Sequence, residues 1–409
     1  MREMKDSGIP WIGEIPKDWS VMPHKRVMYK VKEIQEHYNG ENILSLTMRG
    51  VIVRDLEAGG KMPTSFDGYQ KVYPNNLLQC LFDIDVTPRC VGLIRNEGLT
   101  SPAYSQFAMY PNGYAPYYDY LLRYMDDRKT LLHLSKNLRS SLTETDFGAI
   151  YTCVPSSIEE QQRIAEFLDR KCAEVDEMIG LQEQIIEELK AYKQSVITEA
   201  VTKGLNPDVP MRDSGIEWIG SIPEHWEVKL LSTLFDEHKH KNSELQEANL
   251  LSLSYGKIVR KDINTSEGLL PQSFDGYNII SNGDIVFRLT DLQNDKKSLR
   301  TGLCLETGII TSAYVTIRAR QKLCSAYFHY LVHSYDVCKV FYGMGDGVRQ
   351  GMNYSDLRKL LLLSPPITEQ QAIADYLDEK CADIDSLIQT KQSKIIASKS
   401  IRSLSSTNM

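Results

Sequence analysis

The chain has 409 residues, 42% of them hydrophobic, 25% charged and 9% aromatic, with a formal net charge of −7. That length supports two or three domains with cores of their own, and the composition excludes a disordered chain. No run reaches the ~20 apolar residues of a membrane span, Met1 to Pro16 lacks a signal peptide's apolar stretch, and the eight cysteines form no C-x-x-C pair beside histidines at zinc-ligand spacing; the expectation is a cytoplasmic protein with reduced thiols, no bound metal and no membrane.

In chain order, the first feature is the segment MKDSGIPWIGEIPKDW, Met4 to Trp19, which returns as MRDSGIEWIGSIPEHW, Met211 to Trp226. A fixed offset of this kind marks an internal repeat and decides the architecture before any element is assigned. Weaker but collinear matches follow: NILSL at Asn42 answers NLLSL at Asn249, SFDGY stands at Ser65 and Ser273, and TSPAY at Thr100 resembles TSAY at Thr311. Within these stretches the β-prone runs Asn278 to Ile280 and Asp284 to Leu289 flank Asn282-Gly283, which predicts a hairpin, with Pro74-Asn75-Asn76 as its counterpart. Helical periodicity then covers Tyr117 to Leu134 and Ala326 to Phe341. Each copy therefore predicts a mixed α+β module.

Residues 158 to 203 predict one long helix. Apolar side chains recur at three- and four-residue spacing from Ile164 to Ala200, Ser157 with Glu160 makes a capping box, and Gly204 followed by Pro207 stops it. Such a helix would be a rod of ~65 Å, with Gly180 costing about 1 kcal/mol and a candidate for a bend. The segment Ile158 to Ile179 returns as Ile367 to Ile388, and a second helix from near Pro366 keeps its stripe through Ile373, Leu377, Cys381, Ile384, Ile388 and Ile395. The simplest way to bury both stripes is for the two helices to pack on each other, antiparallel, in a coiled coil, the alternative being two amphipathic helices lying separately on their own modules. The expected divisions are 1–157, 158–204, 205–365 and 366–409.

Charge is unevenly spread. Residues 20–157 carry 15 basic against 14 acidic residues and 227–365 carry 17 against 15, whereas 158–204 carries six against 11. Near-neutral modules separated by an acidic helix neither demand nor exclude nucleic acid. No N/D-P-P-Y/F base-holding motif, phosphate loop, H-E-x-x-H pair or G-x-S-x-G elbow occurs, so catalysis is not expected of this chain.

The DSGIxWIGxIPxxW motif at Asp6 and Asp213, the EQQxIAxxLDxKCAxxD-type run near Glu160 and Glu369, and AVTKGLNP from Ala200 to Pro207 occur in the order found in specificity subunits of Type I restriction-modification systems, which the chain resembles over nearly its whole length. The resemblance implies two target recognition domains, each reading one half of a split DNA sequence, separated by two long antiparallel helices that fix the spacer and dock two methyltransferase (modification) subunits. It also implies restriction (translocase/nuclease) subunits as further partners. S-adenosylmethionine, ATP and Mg would belong to those subunits, none being bound by this chain. A protein- or sugar-binding scaffold and a fragment of a fused restriction enzyme are the competing readings.

Base edges are read by Arg, Lys, Asn and Gln, and phosphates by cations and hydroxyls. Candidate DNA contacts in the first module are Arg49, Arg54, Lys61, Lys136, Asn137 and Arg139. In the second they are Tyr255, Lys257, Arg260, Lys261, Arg288, Lys296, Lys297, Arg300, Arg349 and Gln350. Identical residues in both copies cannot distinguish two half-sites, so Trp11, Trp19, Trp218 and Trp226 are expected as core anchors and SFDGY as a structural turn. Candidate partner-docking residues on the helices are Ile186, Leu189, Lys193 and Ile395.

Overall fold

The computed structural model describes residues 2–58, 63–135, 140–263, 273–290, 292, 299–344 and 351–405. It divides into two units, one formed by residues 1–183 with 393–409 and the other by 184–392. Both long helices contribute to both units.

In the first unit the chain runs β1 (Met4–Asp6), β2 (Glu14–Pro16), β3 (Ser20–Pro23), β4 (Met28–Val31), β5 (Leu44–Thr47), β6 (Gly50–Val53), β7 (Gln70–Val72), β8 (Leu77–Gln79), β9 (Val91–Leu93), β10 (Gly98–Thr100) and β11 (Ser105–Met109). Helices α1 (Ala115–Asp127), α2 (Thr130–Leu134) and α3 (Glu144–Ala149), strand β12 (Tyr151–Val154) and the long α4 (Ile158–Lys203) follow. An antiparallel sheet of order β4-β11-β8-β9 is surrounded by the two-stranded pairs β1-β2, β3-β12, β5-β6 and β7-β10.

The second unit repeats this plan. Its elements are β13 (Met211–Asp213), β14 (Ser221–Pro223), β15 (Glu227–Leu230), α5 (Leu231–Leu234), β16 (Phe235–Glu237), β17 (Leu251–Ser254), β18 (Lys257–Arg260), β19 (Asn278–Ile280), β20 (Ile285–Phe287), β21 (Thr301–Leu303), β22 (Gly308–Ile310), β23 (Val315–Ala319), α6 (Ser325–Val337), α7 (Tyr354–Leu357), β24 (Leu361–Ser364) and α8 (Ile367–Ser405). Its sheet has the order β16-β23-β20-β21, with pairs β13-β14, β15-β24, β17-β18 and β19-β22. The α+β repeat expected from the sequence is present strand for strand.

Each sheet packs its inner face on one helix. Leu77, Val91 and Phe107 meet Tyr117, Tyr118 and Leu121 of α1 in the first unit, and Ile285, Phe287 and Ile317 meet Tyr327, Phe328 and Leu331 of α6 in the second. Burial of such apolar faces is what fixes strand register, since a one-residue slip would turn them to water. A smaller cluster sits under each hairpin: Leu44, Val51, Val72, Leu78 and Ile94, and Leu251, Ile280, Val286, Cys304 and Ile310. Close approach there requires glycine. A Cβ on Gly98 would meet the Asn42 carbonyl oxygen at 2.3 Å, and one on Gly308 the Asn249 oxygen at 2.5 Å.

Two expectations change. Asn282-Gly283 does not close a hairpin, because β19 pairs with β22 while β20 pairs with β21 and β23. Asp284 accepts the Ser281 N–H and Gly283, at φ +92°, donates to Cys304, which turns the chain out of one sheet into the next. Asn75, at φ +66°, donates to Ile94 at the corresponding corner. The periodic helical stretches are also split, each at a lysine in the left-handed region, Lys129 (φ +55°) and Lys339 (φ +61°).

The helices form as expected. Helix α4 covers 46 residues without interruption, Gly180 included. Ser157 caps the Glu160 N–H, although the Glu160 carboxylate reaches back to Ser156 rather than Ser157. Gly204 ends it at φ +76° with its N–H on the Ala200 carbonyl. Pairing with α8 is antiparallel within each unit. In the first, Asp176 meets Arg402 at 2.8 Å and Glu183 meets Lys399 at 3.6 Å; in the second, Lys193 meets Asp385 at 2.7 Å.

Candidate nucleic-acid interface

The repeated motifs are spent on holding each module together. Trp19 and Trp226 are buried and meet Tyr117 and Tyr327 edge-on at 6.4 Å. Glu160, at the head of α4, takes the Arg2 guanidinium at 2.5 Å, and that cation pulls its carboxyl down to about 2. Glu369 accepts the Trp226 indole N–H at 2.9 Å. The next residue in each copy caps the helix under the sheet. Gln161 accepts the Tyr114 N–H at the start of α1 (2.8 Å) and donates to Asn112 (3.0 Å). Gln370 accepts the Cys324 N–H at the start of α6 (3.0 Å) and donates to Pro365 (2.8 Å). Trp11 is half-buried against the first core, whereas Trp218 is 46% exposed, so the core-anchor expectation holds for three of the four tryptophans. SFDGY is the expected turn: the Asp67 and Asp275 N–H groups donate to Ser65 and Ser273 hydroxyls.

The copies differ, among other places, at the hairpins β5-β6 and β17-β18. Arg49 stands exposed at the tip of the first, and Arg54, half-buried, follows β6 with its N–H on Ile43. On the second hairpin Tyr255, Lys257, Arg260 and Lys261 are all exposed. Arg260 is bound by the Glu306 carboxylate at 2.5–2.9 Å, which raises the guanidinium's pKa and lowers the carboxyl's. The hairpin therefore offers Lys257 and Lys261 as cations outside that pair.

Arg300 corrects the sequence reading. It is fully buried, its guanidinium donates to Thr290 (2.7 Å) and Arg288 (3.4 Å) carbonyls, and it lies over the Tyr342 ring. A cation committed to its own chain's carbonyls and out of reach of solvent does not meet DNA in this conformation. Its backbone N–H binds buried Asp336, whose carboxyl burial pushes up to about 6; in the first copy Cys90 binds Asp126 in the same way. Arg288, at the end of β20, is half-buried beside it and donates its N–H to Arg300. Lys61, Lys136, Asn137, Arg139, Lys296, Lys297, Arg349 and Gln350 lie outside the described residues.

Two of the helix residues expected to dock partners are buried within this chain. Ile186 and Ile395 are buried, Leu189 is half-buried and Lys193 is engaged by Asp385. The apolar side chains that α4 does leave exposed in the first unit are Phe167, Met178 and Leu181. Spacings of eleven and three residues put them on one helix face. In the second unit Tyr192 and Leu387 are exposed. The sequence reading missed these because they lie off the dominant stripe. It also passed over the run His238-Lys239-His240-Lys241, in which both lysines are exposed.

The fold is that of a protein built from two α+β modules, each closed by a long helix, and comparisons with known proteins place that class. The chain is similar in sequence to one specificity subunit of a type I restriction enzyme and similar in fold to chains from type I restriction-modification systems. It is 26% identical over 290 residues, 69% of its length, to a protein of Methanocaldococcus jannaschii described as the type I restriction enzyme MjaX specificity subunit, and spans 64% of that relative's length. Its fold matches a chain from a structure on complex assembly and conformational transition of the type I R-M system (TM-score 0.68, 13% identity, 96% of this chain and 97% of that one). It also matches the HsdS subunit from Thermoanaerobacter tengcongensis (TM-score 0.55, 14% identity, 96% of each chain). No protein-family profile matches.

Proposed function

We propose that this chain is the sequence-specific DNA-binding specificity subunit of a Type I restriction-modification complex, without catalysis of its own. Each module reads one half of a bipartite duplex target, and the paired helices set the spacer and dock methyltransferase subunits. Restriction subunits complete the complex, and S-adenosylmethionine, ATP and Mg are bound by the partners. The observation that carries the reading is the duplication itself: two modules of one topology, alike where residues hold the scaffold and unlike at their exposed hairpins, in a chain similar to a type I specificity subunit. Two different half-sites need this combination, since shared residues give a common frame and only unlike residues discriminate.

Docking of the methyltransferase is assigned to the exposed side of the helices, with Phe167, Met178 and Leu181 on α4 in the first unit. Exposed apolar residues aligned on one helix face are a conventional helix-in-groove surface.

The test is retention of duplex DNA by the chain assembled with its methyltransferase. Retention should weaken steeply as salt rises, because phosphate binding releases counterions. An assembled complex that fails to retain duplex DNA at low salt would return the chain to the scaffold reading.

A further inference from the structure

The two hairpins are equivalent in place but unlike at their tips. In the second unit Ser254 pairs with Lys257, so the turn consists of Tyr255 and Gly256, at φ +47° and +78°. Two successive residues at positive φ make the type I′ turn, for which Asn-Gly is the favoured sequence. A tyrosine there is strained, since its Cβ crowds the backbone in the left-handed region. Its side chain is 85% exposed and makes no hydrogen bond among the described residues. The backbone beneath is held, because Gly256 seats against Leu299, whose Cδ1 would lie 3.0 Å from an added Cβ.

The first unit solves the same turn differently. Thr47 pairs with Gly50, the turn residues are Met48 and Arg49, and the left-handed position, φ +97°, is taken by Gly50. The Thr47 hydroxyl accepts the Arg49 N–H and donates to the Gly50 carbonyl. Gly50 seats against the Arg123 guanidinium, and Met48 is 62% exposed. Each unit thus presents one large apolar side chain at a pinned tip, with a cation beside it: Met48 with Arg49, and Tyr255 with Lys257.

We propose that these tips are the specificity-determining contacts, Tyr255 stacking on a base of the second half-site and Met48 making the corresponding apolar base contact in the first, while Arg49 and Lys257 engage the neighbouring phosphates. This rests on the DNA-reading function proposed above. Strain retained at an exposed position is a mark of function, and stacking on an aromatic ring is strong enough to fix a base position.

Tyr255→Asn separates function from structure, because asparagine suits the left-handed turn. Assembled with the methyltransferase, full-length Y255N should keep or raise its Tm. It should bind the wild-type target at least 10-fold more weakly, lose preference at one or two positions of one half-site in selection from a randomised duplex library, and keep its salt slope. Y255F should stay within about threefold of wild type, because stacking needs the ring and not the hydroxyl, and Met48→Ala should relax only the other half-site. Unchanged preference and affinity in Y255N, with a wild type that selects a bipartite motif, would overturn the tip assignment alone. A wild type that selects no motif would overturn the DNA-reading function with it.

Discussion

His24 shows how a single side chain couples this fold to pH. It is fully buried between β3 and β4, its Nδ1 lies 3.1 Å from the Phe147 carbonyl oxygen as donor, and its ring packs on Phe147 at 4.7 Å. Burial disfavours the imidazolium and lowers the pKa from 6.5 to about 4. Below pH 6.5 the unfolded chain takes up a proton that the folded chain refuses, so stability present above that pH is lost as pH falls toward 4. The loss should approach about 3 kcal/mol at the acid end. Denaturant unfolding followed by the first unit's tryptophans at pH 7 and pH 4.5 should show this fall, and His24→Phe should reduce it. An equal fall in both proteins would mean that other groups carry the acid sensitivity. Little of this is written in the local sequence, where His24 stands between Pro23 and Lys25 and looks exposed. Arg300 misled for the same reason: a buried arginine bound to carbonyls and a surface arginine waiting for phosphate share one letter. Tyr255 was legible as a polar contact, whereas the strain that singles it out required its backbone angles.

At the scale of elements, the helices were the most legible part because a 3.6-residue stripe, a capping serine and a terminal glycine all point to the same limits. The side proposed above to face a partner was not. The stripe that dominates the periodicity is the one the helices bury against each other, so choosing its flank led to Ile186 and Ile395, which are buried. Replacing Met178 and Leu181 together by glutamate should leave the chain folded, with a Tm within a few degrees of wild type, because both side chains are exposed and glutamate is a good helix former. The same double variant should lose methyltransferase binding by 10-fold or more in a sedimentation titration. Full binding by the variant would move the docking surface elsewhere. The hairpin expected at Asn282-Gly283 failed because turn chemistry is local while strand pairing is not. A positive-φ glycine serves equally to close a hairpin or to redirect a strand into another sheet, and only the distant strands β21 to β23 decide between the two.

For the molecule as a whole, the repeat in the sequence was the decisive signal, and the two units carry it out with the same strand orders. Among the described residues no helix is long and apolar enough to cross a membrane. A net charge of −7 is compatible with the proposed DNA reading, since the acid is concentrated in α4 and the modules are near neutral. The EQQ motif explains why the copies resemble each other most at the helix starts: Glu160 and Glu369 bind the opening segment, and Gln161 and Gln370 cap the helix beneath each sheet. Identity there is required by a common scaffold, and divergence elsewhere is what the proposed reading of two different half-sites would require. The most direct measurement is the methylome of cells expressing this chain together with its methyltransferase, set against cells expressing the methyltransferase alone. A new bipartite motif with methylated adenine in both halves is expected, present only when this chain is expressed. The same methylome with and without the chain, in cells where the complex has assembled, would contradict the proposed function.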